Sequence, residues 1–127
     1  MKGYGVQLFQ MNKQQLARQR MEVLSKVRIS NRKVNVLRVS PNNTYAHEKT
    51  KFDVFFYCRQ QGWDVITEAI FETGGRADIL ILDTDTVVEI VHTEKEENCC
   101  VKVKKYRVEN FIIIRAGIKP DKVWEEF

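Results

Sequence analysis

Two acidic residues stand inside segments that otherwise read as apolar strands. Asp78 interrupts Ala77 and Ile79-Leu80-Ile81-Leu82, and Glu89 interrupts Val87-Val88 and Ile90-Val91. An ionised carboxylate among aliphatic side chains loses its hydration and is costly unless something positive meets it. The connection Asp83-Thr84-Asp85-Thr86 is short enough for a hairpin, which would set Asp78 across from Glu89. Like charges facing each other across paired strands repel. A divalent cation answers both difficulties, because hard cations take carboxylate oxygens as ligands. The competing arrangement ends each strand at its acid, which then meets solvent or an arginine such as Arg76.

Other residues are candidates for the same chemistry. Glu48 falls on the apolar stripe of a helix, one turn before Phe52, so a helix laid on the sheet could bring it to the two acids. It would equally suit the positive end of the helix dipole as a first-turn glutamate. Glu68, in Ile66-Thr67-Glu68-Ala69-Ile70, is either a further site acid or the solvent side of a half-exposed strand. His47, His92 and Cys58 stand apart, and no His or Cys pair has zinc-site spacing. Cys99-Cys100 and the helical set Phe52, Phe55, Phe56 and Tyr57 read as packing, as do Tyr45 and Trp63.

Elements must hold these side chains. Asn12, with Gln15 three residues on, is a capping box for a helix over about residues 13–28. Residues 33–39 read as a short strand, ended by Ser40-Pro41-Asn42-Asn43. A helix over about 44–61 follows and stops at Gly62. Strands are expected over 63–71, 76–82 and 87–93, then a helix over about 94–107. The nearly all-apolar run 111–114 reads as a strand covered on both faces, and a last short helix after Pro120 would use Val123, Trp124 and Phe127. Short connections make the first three strands an antiparallel meander, and the helical crossover places the fourth parallel to the third, right-handed. The expected fold class is α/β, with a mixed sheet flanked by helices.

Composition narrows the class of protein. A chain of 127 residues is one domain, with no apolar run near the roughly 20 residues that span a bilayer. Its start lacks the apolar stretch of a secretory signal, and its three cysteines, two of them adjacent, make a poor disulfide framework. The expectation is an intracellular, cytoplasmic protein with no membrane partner. The net charge of +4 is unevenly spread: residues 1–43 hold nine basic residues against Glu22, a net +8, which leaves −4 for residues 44–127. The turn at 40–43 therefore divides a basic N-terminal extension, 1–43, from a core domain, 44–127. Lys13, Arg18, Arg20, Lys26, Arg28, Arg32, Lys33 and Arg38 are its candidate contacts to a polyanion. The plain alternative is a helix face kept soluble by charge.

The series helix-Glu, strand, strand-Asp, strand-Glu, helix, strand resembles the PD-(D/E)XK nuclease superfamily, which includes restriction endonucleases, archaeal Holliday-junction resolvases and competence-associated nuclease domains. The resemblance spans about residues 44–115 and is carried by His47-Glu48-Lys49-Thr50-Lys51, Gly62-Trp63-Asp64-Val65, Gly75-Arg76-Ala77-Asp78-Ile79-Leu80-Ile81 and Val88-Glu89-Ile90-Val91. Order and spacing carry it rather than any single motif. It implies a restriction-endonuclease-like αβββαβ core in which Asp78 and Glu89 bind Mg²⁺ or Mn²⁺ and Glu48 supports the metal or its water. The implied activity is endonucleolytic hydrolysis of phosphodiester bonds in duplex or branched DNA, with a homodimer where both strands are cut.

One position departs from the pattern. The family's Glu-X-Lys is Glu89-Ile90-Val91 here, and Val91 cannot position water or offset charge. Another lysine can substitute, either Lys51, three residues beyond Glu48, or Lys102, Lys104 or Lys105 in the next helix. Alternatively, catalysis runs without lysine, or the site has lost catalysis and kept nucleic-acid binding. His92 neighbours the gap, but strand alternation turns it away from Glu89.

Overall fold

The computed structural model describes residues 11–92 and 106–127. The first helix, α1, spans Lys13–Leu24 and starts where the sequence predicts. Asn12 Oδ1 accepts the Gln15 N–H at 2.8 Å and Gln15 Oε1 accepts the Asn12 N–H at 3.0 Å, which satisfies donors a helix start leaves open. It ends at Leu24 rather than near residue 28, because the chain leaves the helix to join the sheet. Val27 bridges Phe71, the Arg28 N–H donates to the Ile70 carbonyl and the Glu72 N–H to the Lys26 carbonyl.

Residues 33–39, expected as a strand, form none. They run beside the first strand, β1 (Val65–Ile70), tied largely by side chains. Asn35 sits in the left-handed region, φ 63°, which asparagine tolerates better than most residues but which interrupts an extended ladder. Its side chain accepts the Val65 N–H at 2.9 Å and donates to Asp64 at 3.1 Å. Thr67 Oγ1 donates to the Val36 carbonyl at 2.8 Å and accepts the Arg38 N–H at 2.9 Å.

Helix α2 spans Tyr45–Gln60, capped by the Thr44 side chain, which accepts the His47 N–H. Gly62, at φ 80°, turns the chain out of it. β1, β2 (Arg76–Ile81) and β3 (Thr86–Val91) pair antiparallel in sequence order, and β4 (Asn110–Arg115) adds parallel to β3. Strand alternation divides the core between the two faces. On one face Ile79, Ile81, Val88, Ile112 and Ile114 pack under Val54 and Cys58 of α2 and under Val123 and Phe127 at the chain's end. On the other, Leu80, Leu82 and Val87 meet Val23, Val27 and Tyr106. The fold is thus α/β, a four-stranded mixed sheet flanked by helices. The crossover helix expected over 94–107 falls mostly on residues 93–105, outside the described residues, as do Cys99, Cys100, Lys102, Lys104 and Lys105. Among the described residues no helix is long and apolar enough to cross a membrane.

Four aromatic expectations are corrected, the first being Tyr45, which is exposed at the start of α2 rather than packed. α2 turns His47, Thr50, Lys51, Val54 and Cys58 inward. That phase leaves Phe52 and Phe56 exposed, stacked on each other at 6.0 Å, while Phe55 and Tyr57 pack against the core. Trp124, in the 3-10 helix Pro120–Glu126, is also exposed.

The basic N-terminal segment is bound to the sheet by charge as well as by Val23 and Val27. Arg20 grips both oxygens of buried Asp83, at 3.2 and 2.8 Å, and donates to the Gly62 carbonyl. Asp83 also accepts the Asp64 N–H at 2.7 Å. Lys26 meets Asp85 at 2.9 Å and the Arg107 carbonyl at 2.8 Å. Removing one partner leaves a buried carboxylate without its charge-assisted bonds. Arg20→Ala is therefore expected to destabilise the fold by about 1–3 kcal/mol in urea unfolding. A loss no larger than that of Arg18→Ala, on the exposed face of α1, would show that the Asp83 clamp contributes nothing.

Candidate functional site

The paired part of the β2–β3 ladder ends at Ile79 opposite Val88. The same register carried one step further sets Asp78 against Glu89, and a hydrogen bond from Glu89 is among the effects that lower the Asp78 pKa. The Ile90 N–H donates to Asp78 Oδ2 at 2.8 Å. The Tyr106 hydroxyl lies 2.9 Å from Glu89 Oε1 and 3.0 Å from the Arg76 carbonyl. Asp78 and Glu89 both line a cleft of about 380 Å³, together with Thr44, His47, Glu68 and His92.

Glu48 is brought to the edge of this pair by the inward phase of α2, and it organises the loop before the helix. Its carboxylate accepts from Asn43 Nδ2 at 2.8 Å and from the Ser40 N–H at 3.2 Å. Between Glu48 and Asp78 lies His47, with Nδ1 3.0 Å from Glu48 Oε1 and Nε2 3.3 Å from Asp78 Oδ2. The Asp78 hydrogen bond raises the His47 pKa against the opposing effect of burial, and Glu48 adds to the rise. Burial pushes the Asp78 carboxyl up, but bonds from His47, the Ile90 N–H and Glu89 outweigh it and hold the group below its ordinary value. Glu48 is likewise lowered, burial being outweighed by Lys51, Asn43, His47 and the Ser40 N–H.

Lys51 is fully buried and does not line the cleft. Its Nζ lies 2.7 Å from Glu48 Oε2, an ion pair outside good hydrogen-bond geometry, and 3.9 Å from Glu68 Oε1. Glu68 is buried at φ 51°, and burial raises its carboxyl pKa, only partly countered by Lys51. Val91 is buried, and His92 is exposed on the cleft rim beside Thr44.

The basic residues singled out in the sequence divide by what they touch. Arg20 and Lys26 pair with the β2–β3 turn, and Arg32 donates to the Val27 and Ser25 carbonyls. Lys13, Arg18, Arg28 and Lys33 are exposed, and Arg38 is half-buried. His47, absent from the sequence-based candidates, is the unforeseen member of the site. The signal available for it was its spacing from Lys51, Val54 and Cys58, which places it on one inward stripe.

Asp78 and Glu89 are hard oxygen donors of the kind Mg²⁺ and Mn²⁺ prefer, and Mg²⁺ is commonly held by one or two carboxylates with water completing its shell. Among the described residues no three His, Cys, Asp or Glu side chains are disposed to hold a metal ion. In this arrangement His47 intervenes between Glu48 and Asp78, so the fit is to a two-carboxylate site. No protein-family model matches the chain, nor does any curated protein or any solved structure.

The bridging histidine sets a pH dependence for the metal-free protein. Its folded pKa lies above the unfolded value of about 6.5, so its stabilisation is fully present below that pH and lost as pH rises through the folded value. Asp78 acts oppositely: its contribution is present above about pH 3.9 and lost as pH falls through its lowered value. Urea unfolding in chelator should show a decline on the alkaline side of pH 6.5 or so that His47→Gln abolishes. An identical decline in the variant would remove His47 as its source.

Proposed function

We propose that this chain is a divalent-metal-dependent nuclease with a restriction-endonuclease-like core, hydrolysing phosphodiester bonds in DNA. The observation that carries the reading is the placing of Asp78 and Glu89 on adjacent strands, opposite each other in the extended register and both lining one cleft. The element order supports it: a helix bearing Glu48, three antiparallel strands, then a strand parallel to the third.

Asp78 and Glu89 would hold Mg²⁺ or Mn²⁺, which supplies Lewis acidity toward a phosphoryl oxygen and a more acidic water. The Ile90 N–H and the Tyr106 hydroxyl orient the two carboxyls. Glu48, fixed by Asn43 and the Ser40 N–H, holds the His47 ring toward Asp78. His47 lines the cleft, so its ring, when protonated, would face the place an anionic phosphate would take. Lys51, the lysine expected to replace the one missing at Val91, is sealed beneath Glu48 and acts on substrate only through it. It is a positioning residue. Cutting both strands of a duplex would take two copies of the chain.

That seclusion of Lys51, with Val91 buried at the Glu-X-Lys position, favours a second reading, a nuclease-fold protein that binds DNA without cutting it. Incubation with Mg²⁺ or Mn²⁺ and duplex, single-stranded and branched DNA separates the two. The nuclease reading expects cleavage of at least one form, abolished by Asp78→Asn. Tight binding with no cleavage under any of these conditions leaves the binding reading.

Metal binding has its own readout. A cation bound only by the folded state at 100 times its Kd adds about 2.7 kcal/mol of stability. Mn²⁺ should therefore raise the thermal midpoint of the wild type and leave that of Asp78→Asn unchanged. An equal rise in both proteins would place the metal elsewhere.

A further inference from the structure

The acid cleft does not end at Glu68. A second cleft, of about 240 Å³, adjoins it, and Glu68 and Arg76 line both. Asn31, Arg38, Val39, Ser40, Pro41 and Ile70 complete its wall. The junction exists because β1 breaks its pleat there. Ile66 and Ala69, three residues apart, both join the core on the α1 side, where an unbroken strand would send them to opposite faces. The break is at Glu68, whose left-handed backbone is a conformation that side-chain-bearing residues adopt under strain and that gathers at functional sites.

Arg38 and Arg76 flank this junction. Among the described residues neither guanidinium forms an ion pair or a side-chain hydrogen bond, whereas Arg20, Lys26 and Arg32 all do. Their backbones are nevertheless pinned: the Arg38 N–H donates to Thr67 Oγ1 at 2.9 Å, and the Arg76 carbonyl is met by the Tyr106 hydroxyl that also contacts Glu89. Arg38 lines the second cleft, and Arg76, close enough to Glu68 to lower its pKa, lines both. A guanidinium presents parallel donors that match a phosphate in bidentate fashion.

We infer that Arg38 and Arg76 form a phosphate subsite, which takes the backbone phosphate next to the one at the acid pair on the same nucleic-acid strand. The inference rests on the nuclease reading for the location of the substrate. It gives the +8 of the N-terminal segment a specific outlet: Arg38 carries charge to the groove, while Arg20, Lys26 and Arg32 hold the fold. Arg76, from the core domain, supplies the second cation.

The test is the salt dependence of binding to a single-stranded oligonucleotide in chelator, where cleavage plays no part. Each phosphate contact contributes about 0.7 to the log–log slope on single strands. Arg38→Gln and Arg76→Gln should each flatten the slope by about that amount, with thermal midpoints near wild type. Arg38→Lys and Arg76→Lys should restore it. Lys119→Gln, exposed and lining neither cleft, should leave it unchanged. Slopes equal to wild type in both groove variants would overturn the subsite, as would no measurable binding by the wild type. Flattened slopes in a protein that never cleaves would sink the nuclease reading and keep the subsite.

Discussion

A carboxylate inside an apolar sheet has to be met by donors, and much of this structure is arranged around meeting the one at Asp78. The Ile90 N–H reaches it from β3, and His47 reaches it from α2. His47 in turn needs Glu48 on its other nitrogen, and Glu48 needs Lys51, Asn43 and the Ser40 N–H. The result is a line of ionisable groups, Asp78, His47, Glu48, Lys51 and Glu68, laid between helix and sheet. Such buried pairs add little net stability over apolar packing, but losing one member strands the next. The line therefore fixes where α2 sits and how the loop over 40–43 enters it. Both of these shape the cleft.

The same logic governs the opposite end of β2. Asp83 and Asp85 occupy the β2–β3 turn, both buried, and both take cations from the N-terminal segment. The turn that sets the Asp78–Glu89 register is thus clamped by Arg20 and Lys26, so α1 supports the site without touching it.

Much of the framework was legible in the chain. Apolar runs bounded by turn residues marked the strands, Asn12 with Gln15 marked the start of α1, and Gly62 marked the end of α2. Short connections implied the antiparallel meander, and the hairpin register that opposes Asp78 and Glu89 followed from it. These features depend on dihedral preference, capping chemistry and a period of two, all of which act over a few residues.

What the sequence could not display was the phase and the partnership of its side chains. The inward stripe of α2 was decided by packing on the sheet, which sent Phe52 and Phe56 outside and brought in His47 and Lys51. Residues 33–39 have strand-like composition, yet Asn35 takes a left-handed conformation because its side chain finds the edge of β1. Arg20 and Lys26 look like any other surface cations until the fold sets them against carboxylates about sixty positions away along the chain. Local sequence encodes which backbone shapes are cheap. Whether a charged side chain ends on a carboxylate, on a carbonyl or unpaired in a groove is settled only when distant segments meet, because its energy depends on the partner and on the water that partner displaces.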